Sequence, residues 1–192
     1  MQIPKITLAS ASPRRKMLLE QINLAFDVIA SDIEEDADLS LPPEKFAAWN
    51  AEKKALAVLD QASLPPSTLI IAADSIVVLD GDILEKPTDE AHARDMLTQL
   101  SGNRHTVFSG VCLLYMGRKI TFCDRADVYM REISPAEIDA YIESGEPMDK
   151  AGSYGLQGFG AVYVKRVDGD YTTVIGLPLC ALWTKMEEII NG

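Results

Sequence analysis

The sequence predicts a mixed α/β protein in which helices flank a twisted β-sheet. Short apolar runs typical of strands alternate with longer stretches in which apolar residues recur at helical spacing. Turn signals, such as the Asp80-Gly81 pair, separate these runs. At 192 residues the chain is long enough for one well-packed domain or for two small lobes.

A strand, a helix and a second strand open the predicted order of elements. The apolar runs 6–9 and 26–30 are predicted strands, and the helix between them begins at Pro13. Ser12 directly precedes that helix and is predicted as its N-cap.

The amino end of this first helix is a candidate anion site. Backbone N–H groups and the positive end of the helix dipole lie there, beside Ser10, Arg14 and Arg15. Acidic side chains are usually preferred in a first turn, so the two arginines either lie in solvent or flank a bound phosphate.

The remaining elements follow from periodicity and turn chemistry. Apolar residues at helical spacing predict a helix over 44–62, and a capping box of Ser134 and Glu137 opens a helix that ends near Ser144. The other predicted elements are helices at 88–102 and from about Pro178, and strands at 68–72, 76–79, 106–115 and 119–130.

Composition excludes several classes of protein. A net charge of −11 argues against broad binding to nucleic acid, which needs a basic face. No apolar run has the length of a membrane span, and the amino terminus lacks the apolar segment of a secretion signal. We therefore expect a cytoplasmic protein with neither nucleic acid nor a membrane as partner.

Metal and triad chemistry based on cysteine or histidine is also disfavoured. The three cysteines are widely spaced, and the two histidines, His92 and His105, lie far apart in the sequence. No zinc site or Ser-His-Asp triad follows from this pattern, so any hydrolysis would use carboxylates and a hard metal ion.

Asp74 is the strongest single candidate for chemistry. It interrupts an apolar stretch, where an unpaired buried carboxylate would cost several kcal/mol. It must therefore be paired, bound to a metal or exposed, and a carboxylate bonded to backbone at a strand end is the structural alternative.

Other charged residues are weaker candidates. Lys86 and Lys150 lie in predicted turns, whereas Lys53 and Lys54 lie on a helix, where lysines are usually exposed. The acidic run 34–36 is either a solvated loop or the source of a carboxylate that holds a divalent cation.

Six ordered segments together resemble the Maf family of nucleoside triphosphate pyrophosphatases. They read "LASASPRR", "AEKKA", "AADSIVVLDGDILEKP", "SGNRHTVFSGV", "DKAGSYGLQG" and "GDYTTVIGLPL", and they extend over nearly the whole chain. The resemblance implies a single domain over residues 1–192 with a deep central cleft, related in architecture to the inosine triphosphate pyrophosphatases. It also implies hydrolysis of a nucleoside triphosphate to the monophosphate and pyrophosphate, and a homodimer as the expected assembly.

The resemblance also implies roles for individual residues. Asp74 matches the family's catalytic carboxylate, and Glu35 and Asp74 are the implied ligands of a divalent cation, Mg²⁺ or Mn²⁺. The positions that match the family's phosphate-binding and active-site motifs are Ser10, Arg14, Arg15, Lys53, Lys86 and Lys150.

Three positions bear on the choice of base. Arg14, Ser75 and Gln157 resemble the family branch that acts on dTTP and UTP, although threonine is commoner than serine after the catalytic aspartate. The amide of Gln157 carries a donor and an acceptor that match the N3–H and O4 of thymine and uracil. Two alternatives remain: a nucleotide-binding regulator of cell division with little turnover, and a pyrophosphatase that prefers 7-methyl-GTP or other purines.

Overall fold

The computed structural model of the protein describes residues 2–31, 33 and 41–192. Helices and strands are mixed along this part of the chain, which confirms the predicted α/β class. The chain forms two compact units. The first is drawn from Met1–Asp74, Ser109–Asp124 and Gly176–Gly192, and the second consists of Ser75–Phe108 and Arg125–Ile175. The single domain and the deep cleft stay predictions.

Seven strands and six α-helices lie within the described residues. The strands are β1 (Ile6–Leu8), β2 (Phe26–Val28), β3 (Leu69–Leu79), β4 (Asp82–Leu84), β5 (Arg104–Tyr115), β6 (Arg118–Met130) and β7 (Val164–Asp168). The helices are α1 (Pro13–Gln21), α2 (Pro43–Gln61), α3 (Glu90–Leu100), α4 (Pro135–Glu143), α5 (Tyr171–Ile175) and α6 (Leu179–Asn191).

The strands form one mixed sheet. Its order is β2-β1-β3-β5-β6-β7, and β4 pairs with β3 as a short additional strand. β1 is parallel to both β2 and β3, with Leu8 opposite Val28 on one side and Ile71 on the other. β4 is antiparallel to β3, and β7 is antiparallel to β6. The carboxyl end of β1 therefore lies beside Ile71, the third residue of β3.

Local sequence signals predicted most boundaries within a few residues. The strand–helix–strand start is confirmed, and so is the capping box, in which Ser134 and Glu137 each accept a hydrogen bond from the other's backbone N–H. Ser12 occupies the N-cap of α1, but its hydroxyl makes no capping bond. Its N–H instead donates to Oγ of Ser10, at 3.2 Å.

The largest correction concerns the strand that carries Asp74. The sequence predicts two strands separated at Asp74 and Ser75, whereas β3 is a single strand that passes through both residues. Asp74 is 5% exposed within this strand. A carboxylate in the middle of a buried strand is stable only if other elements supply partners, and residues of α2 do so, as described below.

Small residues let α2 pack closely in the first unit. Ala47, Ala51 and Ala55 are completely buried and recur every four residues, so they share one face of the helix. Gly110 of β5 lies against this face, where an added Cβ would be 2.2 Å from the backbone carbonyl carbon and oxygen of Ala47. This close approach brings the polar residues of the same helix face next to β3.

A separate apolar core fills the second unit. Residues of β3, β5 and β6 pack there with helices α3 and α4, and three tyrosines, Tyr141, Tyr154 and Tyr163, are almost completely buried. His105 lies in this unit and is 2% exposed. Its Nε2 is 2.7 Å from the hydroxyl of Tyr154, and its Nδ1 has no hydrogen-bond partner among the described residues.

Burial of His105 makes the stability of the protein sensitive to acid. Desolvation lowers the pKa of His105 from 6.5 to about 4, although Asp127 opposes the shift. The unfolded chain gains a proton as the pH falls below 6.5, whereas folded His105 stays neutral until about pH 4. As the pH falls from 6.5 to 4, we expect the unfolding free energy to decrease by about 3 kcal/mol because of His105 alone. Above pH 6.5 this contribution of His105 to the stability is fully present.

Urea denaturation between pH 7 and pH 4 tests this expectation. In His105→Gln the unfolding free energy should fall less steeply with acid than in the wild type, whereas His92→Gln should keep the wild-type slope. An identical slope in His105→Gln would show that His105 does not cause the acid sensitivity.

Candidate active site

Asp74 is held by two side chains of α2. Nζ of Lys54 donates to Asp74 Oδ1 at 2.6 Å, and Nδ2 of Asn50 donates to Asp74 Oδ2 at 3.1 Å. All three residues are buried, with exposures of 7% for Lys54, 3% for Asn50 and 5% for Asp74. The cation compensates the buried negative charge, and the amide fixes the second oxygen without adding charge.

Helical geometry explains why Asn50 and Lys54 reach the same carboxylate. Residues four apart lie on one face of a helix, so both follow the face that the buried alanines of α2 define. The sequence analysis assigned no role to Asn50 and selected Lys53 rather than Lys54. The alanine spacing is the signal that could have identified them, because Asn50 and Lys54 each directly precede a buried alanine.

Lys53 lies elsewhere on α2. Its Nζ is 4.5 Å from the ring centroid of Trp49, a distance at which a cation interacts favourably with an aromatic ring. Residues 49 and 53 are one helical turn apart, which explains the stacking. The structure therefore brings Lys54 rather than Lys53 to Asp74, and a substrate contact by Lys53 stays a prediction.

The predicted phosphate cradle forms a second polar group in the first unit. Arg15 donates from one guanidinium nitrogen to Ser10 Oγ and from Nε to the carbonyl of Gly176, both at 3.0 Å. Arg14 is partly exposed on the first turn of α1. Ser10 follows β1, whose last residue lies opposite Ile71 of β3, so register places Ser10 level with the residues just before Asp74.

Ser75 follows Asp74 directly in β3. Successive side chains of a strand point to opposite faces, so Ser75 points away from the face that receives Asn50 and Lys54. Asp74, the predicted catalytic residue, and Ser75, a predicted specificity residue, therefore point to opposite faces of the sheet.

The segments that carry Lys86 and Lys150 meet in the second unit. The N–H of Gly152 donates to the carbonyl of Glu85 at 3.1 Å, which joins the two turns. Lys86 is exposed, whereas Lys150 is 8% exposed and its Nζ donates to the backbone carbonyl of Glu146 and, at 2.6 Å, to the carboxylate of Asp149.

Gln157 lies in the glycine-rich segment of the second unit. Its Oε1 is buried and has no hydrogen-bond partner among the described residues. A buried acceptor without a partner costs about 1–3 kcal/mol, so this oxygen is suited to a donor that a ligand would supply.

The donor set for a divalent cation is small. Glu35 lies outside the described residues, and within them no group of three or more His, Cys, Asp or Glu side chains could hold a metal ion. Each oxygen of Asp74 accepts one hydrogen bond in the contacts above and retains a second lone pair. Asp74 therefore fits a cation of the Mg²⁺ type, which uses one or two carboxylates together with substrate phosphates.

The arrangement in the first unit can bind anions and accept a proton. Arg14, Arg15 and the amino end of α1 provide positive charge, and Asp74 is a carboxylate held in a defined orientation. No helix of the described residues is both long and apolar enough to span a membrane.

Comparison with known proteins identifies relatives over nearly the whole chain. The family model described as "Maf-like protein" matches residues 5–189. A dTTP/UTP pyrophosphatase of Bacillus cytotoxicus is 43% identical over 188 residues, which cover 98% of this chain and 97% of the relative. A protein of the same name from Bacillus pumilus is 45% identical over 175 residues, with 91% of each chain covered.

A third relative and two solved structures extend the comparison. The dTTP/UTP pyrophosphatase of Caldicellulosiruptor saccharolyticus is 44% identical, covering 96% of this chain and 94% of the relative. The Ham1 protein of Staphylococcus aureus has a TM-score of 0.45 at 17% identity, with 83% of this chain and 79% of that chain covered. A nucleoside-triphosphatase/dITP/XTP pyrophosphatase of Mycobacterium abscessus has a TM-score of 0.42 at 14% identity, with 97% of both chains covered.

The two adjacent lysines of α2 allow a matched test of the buried ion pair. Lys54→Met keeps the length of the side chain but leaves Asp74 buried without its counter-ion, so the unfolding free energy should fall by about 3–5 kcal/mol. Lys53→Met should lower it by about 1 kcal/mol or less, because it removes a cation–π contact at a partly exposed site.

Urea denaturation at pH 7 measures both variants. Replacing the whole pair, as Lys54→Met with Asp74→Leu, should recover most of the lost stability because no charge then remains buried. Equal losses in Lys53→Met and Lys54→Met would contradict the pairing of Lys54 with Asp74.

Proposed function

Since this chain belongs to the Maf family, we propose that it is a nucleoside triphosphate pyrophosphatase that hydrolyses dTTP and UTP to the monophosphate and pyrophosphate. The observation that carries the proposal is the identity of 43–45%, over 91–98% of this chain, to relatives named dTTP/UTP pyrophosphatase. The pairing of Asp74 with Asn50 and Lys54 supports it, because it holds a carboxylate ready for use as a base.

We assign the proton transfer to Asp74. An attacking water loses a proton as it bonds to the phosphorus, and a carboxylate within hydrogen-bond reach accepts that proton. Asn50 and Lys54 each occupy one lone pair of the carboxylate, so a lone pair on either oxygen can point at the water. The contact with Asp74 leads us to give Lys54, rather than Lys53, the supporting role in this step.

We assign the binding of the phosphate groups to the basic residues that match the family's motifs. Arg14, Arg15 and Ser10 lie at the start of α1, where N–H groups and the helix dipole also favour an anion. Lys86 and Lys150 supply the charge that a pyrophosphate leaving group requires. We further propose that Asp74, and Glu35 as the resemblance implies, hold Mg²⁺ or Mn²⁺. When bound, such a cation neutralises charge on the phosphate oxygens and polarises water.

We assign the selectivity for the nucleobase to Gln157, with contributions from Arg14 and Ser75. The unpartnered Oε1 of Gln157 is the acceptor that N3–H of thymine or uracil would satisfy, and its N–H₂ group would donate to O4. Cytosine presents an unprotonated N3 and an amino group at these places, so an amide held in this orientation would have both of its groups mismatched. We also propose a cytoplasmic location for the enzyme.

A panel of triphosphates tests the reaction and the role of Asp74 together. With Mg²⁺ the purified protein should release equimolar monophosphate and pyrophosphate, and dTTP and UTP should react faster than CTP, GTP, ATP and 7-methyl-GTP. Asp74→Asn keeps the shape of the side chain but removes the base, so turnover should fall at least about 10²-fold.

Each outcome of this assay separates the proposal from an alternative. Stepwise release of UDP and orthophosphate would indicate a phosphatase, and tight binding without turnover would indicate a regulator. A folded Asp74→Asn protein with near-normal turnover, its fold verified by circular dichroism, would exclude Asp74 as the base.

Replacement of Gln157 tests whether this residue recognises the nucleobase of the substrate. Gln157→Glu removes the donor and places a charge against O4, so the ratio of kcat/KM for UTP to that for GTP should fall about 5- to 150-fold. Gln99→Glu, an exposed residue of α3, adds the same charge elsewhere and should leave the ratio unchanged. If Gln157 only stabilises its loop, kcat/KM will fall by the same factor for all triphosphates.

A further inference from the structure

The carboxylate of Glu146 is the centre of a hydrogen-bond network in the second unit. Its Oε1 accepts from the hydroxyl of Tyr141 at 2.8 Å and from the N–H of Gly160 at 3.1 Å. Its Oε2 accepts from the N–H of Phe159 at 2.9 Å. The sequence analysis gave Glu146 no role, yet it holds one end of the glycine-rich loop that carries Gln157.

Tyr141 holds the other end of the same loop. The N–H of Gly155 donates to its hydroxyl at 3.3 Å, and that hydroxyl in turn donates to Glu146. The ring of Tyr141 is 1% exposed and packs edge-on against Tyr163, with ring centroids 5.2 Å apart. Residues 155–160 are therefore tied at both ends to one hydrogen-bonded pair of side chains, Tyr141 and Glu146.

The loop approaches this pair too closely for larger residues. A Cβ on Gly158 would lie 2.6 Å from Oε1 of Glu146, and φ at Gly158 is +119°, a conformation that other residues rarely adopt. A Cβ on Gly160 would lie 2.5 Å from the hydroxyl oxygen of Tyr141. Gly158 and Gly160 thus allow the loop backbone to approach Glu146 and Tyr141 closely.

The surroundings of Glu146 favour the ionised form of its carboxylate. Burial alone would raise its pKa, but the N–H groups of Gly160 and Phe159 and the hydroxyl of Tyr141 outweigh burial, so the pKa is lowered. Lys150, which donates to the backbone carbonyl of Glu146, also lowers it. Three donors thus converge on an ionised carboxylate, and hydrogen bonds to charged groups are stronger than neutral ones.

We propose that Glu146 is a positioning residue that sets base selectivity by holding the loop on which Gln157 presents its amide. An amide can discriminate between nucleobases only if its donor and acceptor keep a fixed orientation, and the contacts of Glu146 and Tyr141 anchor both ends of the loop that carries this amide. This inference rests on the proposed function in one respect, since it takes a pyrimidine nucleotide as the ligand of Gln157.

The variant Glu146→Gln tests the proposal with little change of shape. An amide provides one acceptor oxygen in place of two and turns an N–H₂ group towards a backbone donor, so the end of the loop should be released. Hydrogen exchange at the amides of Phe159 and Gly160 should accelerate at least about tenfold, which corresponds to about 1.4 kcal/mol. Glu143→Gln, an exposed residue of α4, is the matched control and should leave this exchange unchanged.

Selectivity is measured on the same two variants. In Glu146→Gln the ratio of kcat/KM for UTP to that for GTP should fall at least about fivefold, and the ratio of their binding affinities without divalent cation should fall equally. The kcat for UTP should change less than this ratio, because the proton acceptor lies in another part of the chain. Tyr141→Phe removes one of the donors to Glu146 and should have an intermediate effect.

The affinity measurement separates this inference from the proposed function. If the wild-type protein binds UTP over GTP but hydrolyses neither, the proposed function fails, and the inference is still decided by the affinity ratio in Glu146→Gln. An unchanged ratio overturns the inference, whether or not the loop amides exchange faster. Equal binding of UTP and GTP by the wild type also overturns it.

Discussion

A negative charge in the middle of a buried strand must be compensated, and the first unit is organised around this requirement. Asp74 is 5% exposed, and its two oxygens accept hydrogen bonds from Lys54 and Asn50. These partners can reach it only because α2 carries alanines on the face that packs closely, and because Gly110 leaves room for the helix backbone. Close packing of small side chains therefore allows the buried carboxylate to be compensated inside the fold.

The second unit uses the same principle for a different purpose. Glu146 is stabilised by backbone N–H groups and a tyrosine hydroxyl rather than by a cationic side chain. Two of these partners, the N–H groups of Phe159 and Gly160, belong to the loop, and the third, Tyr141, belongs to α4, so the carboxylate joins the loop to that helix. In both units each oxygen of the carboxylate accepts at least one hydrogen bond. In the first the carboxylate is the proposed proton acceptor, and in the second it is hydrogen-bonded to a loop.

Sequence and structure agree best where the signals are local. The strand–helix–strand start and the capping box at Ser134 and Glu137 depend on residues a few positions apart, and both are present. They diverge at β3, where the sequence predicts a break and the structure has one continuous strand. The break was predicted because Asp74 and Ser75 separate two apolar runs, but the partners that let Asp74 lie inside a strand are 20 and 24 residues earlier in the chain.

The amino-acid sequence by itself determined the α/β class, most element boundaries and the family, and it predicted a role for Asp74, because apolar periodicity, turn residues and ordered motifs are properties of neighbouring residues. Only the tertiary structure decided which of two adjacent lysines meets Asp74, that Asn50 joins them, and that Glu146 holds the loop of Gln157. Adjacent residues on a helix differ by about 100° in direction, and only the packing of that helix decides which of them is buried against the sheet.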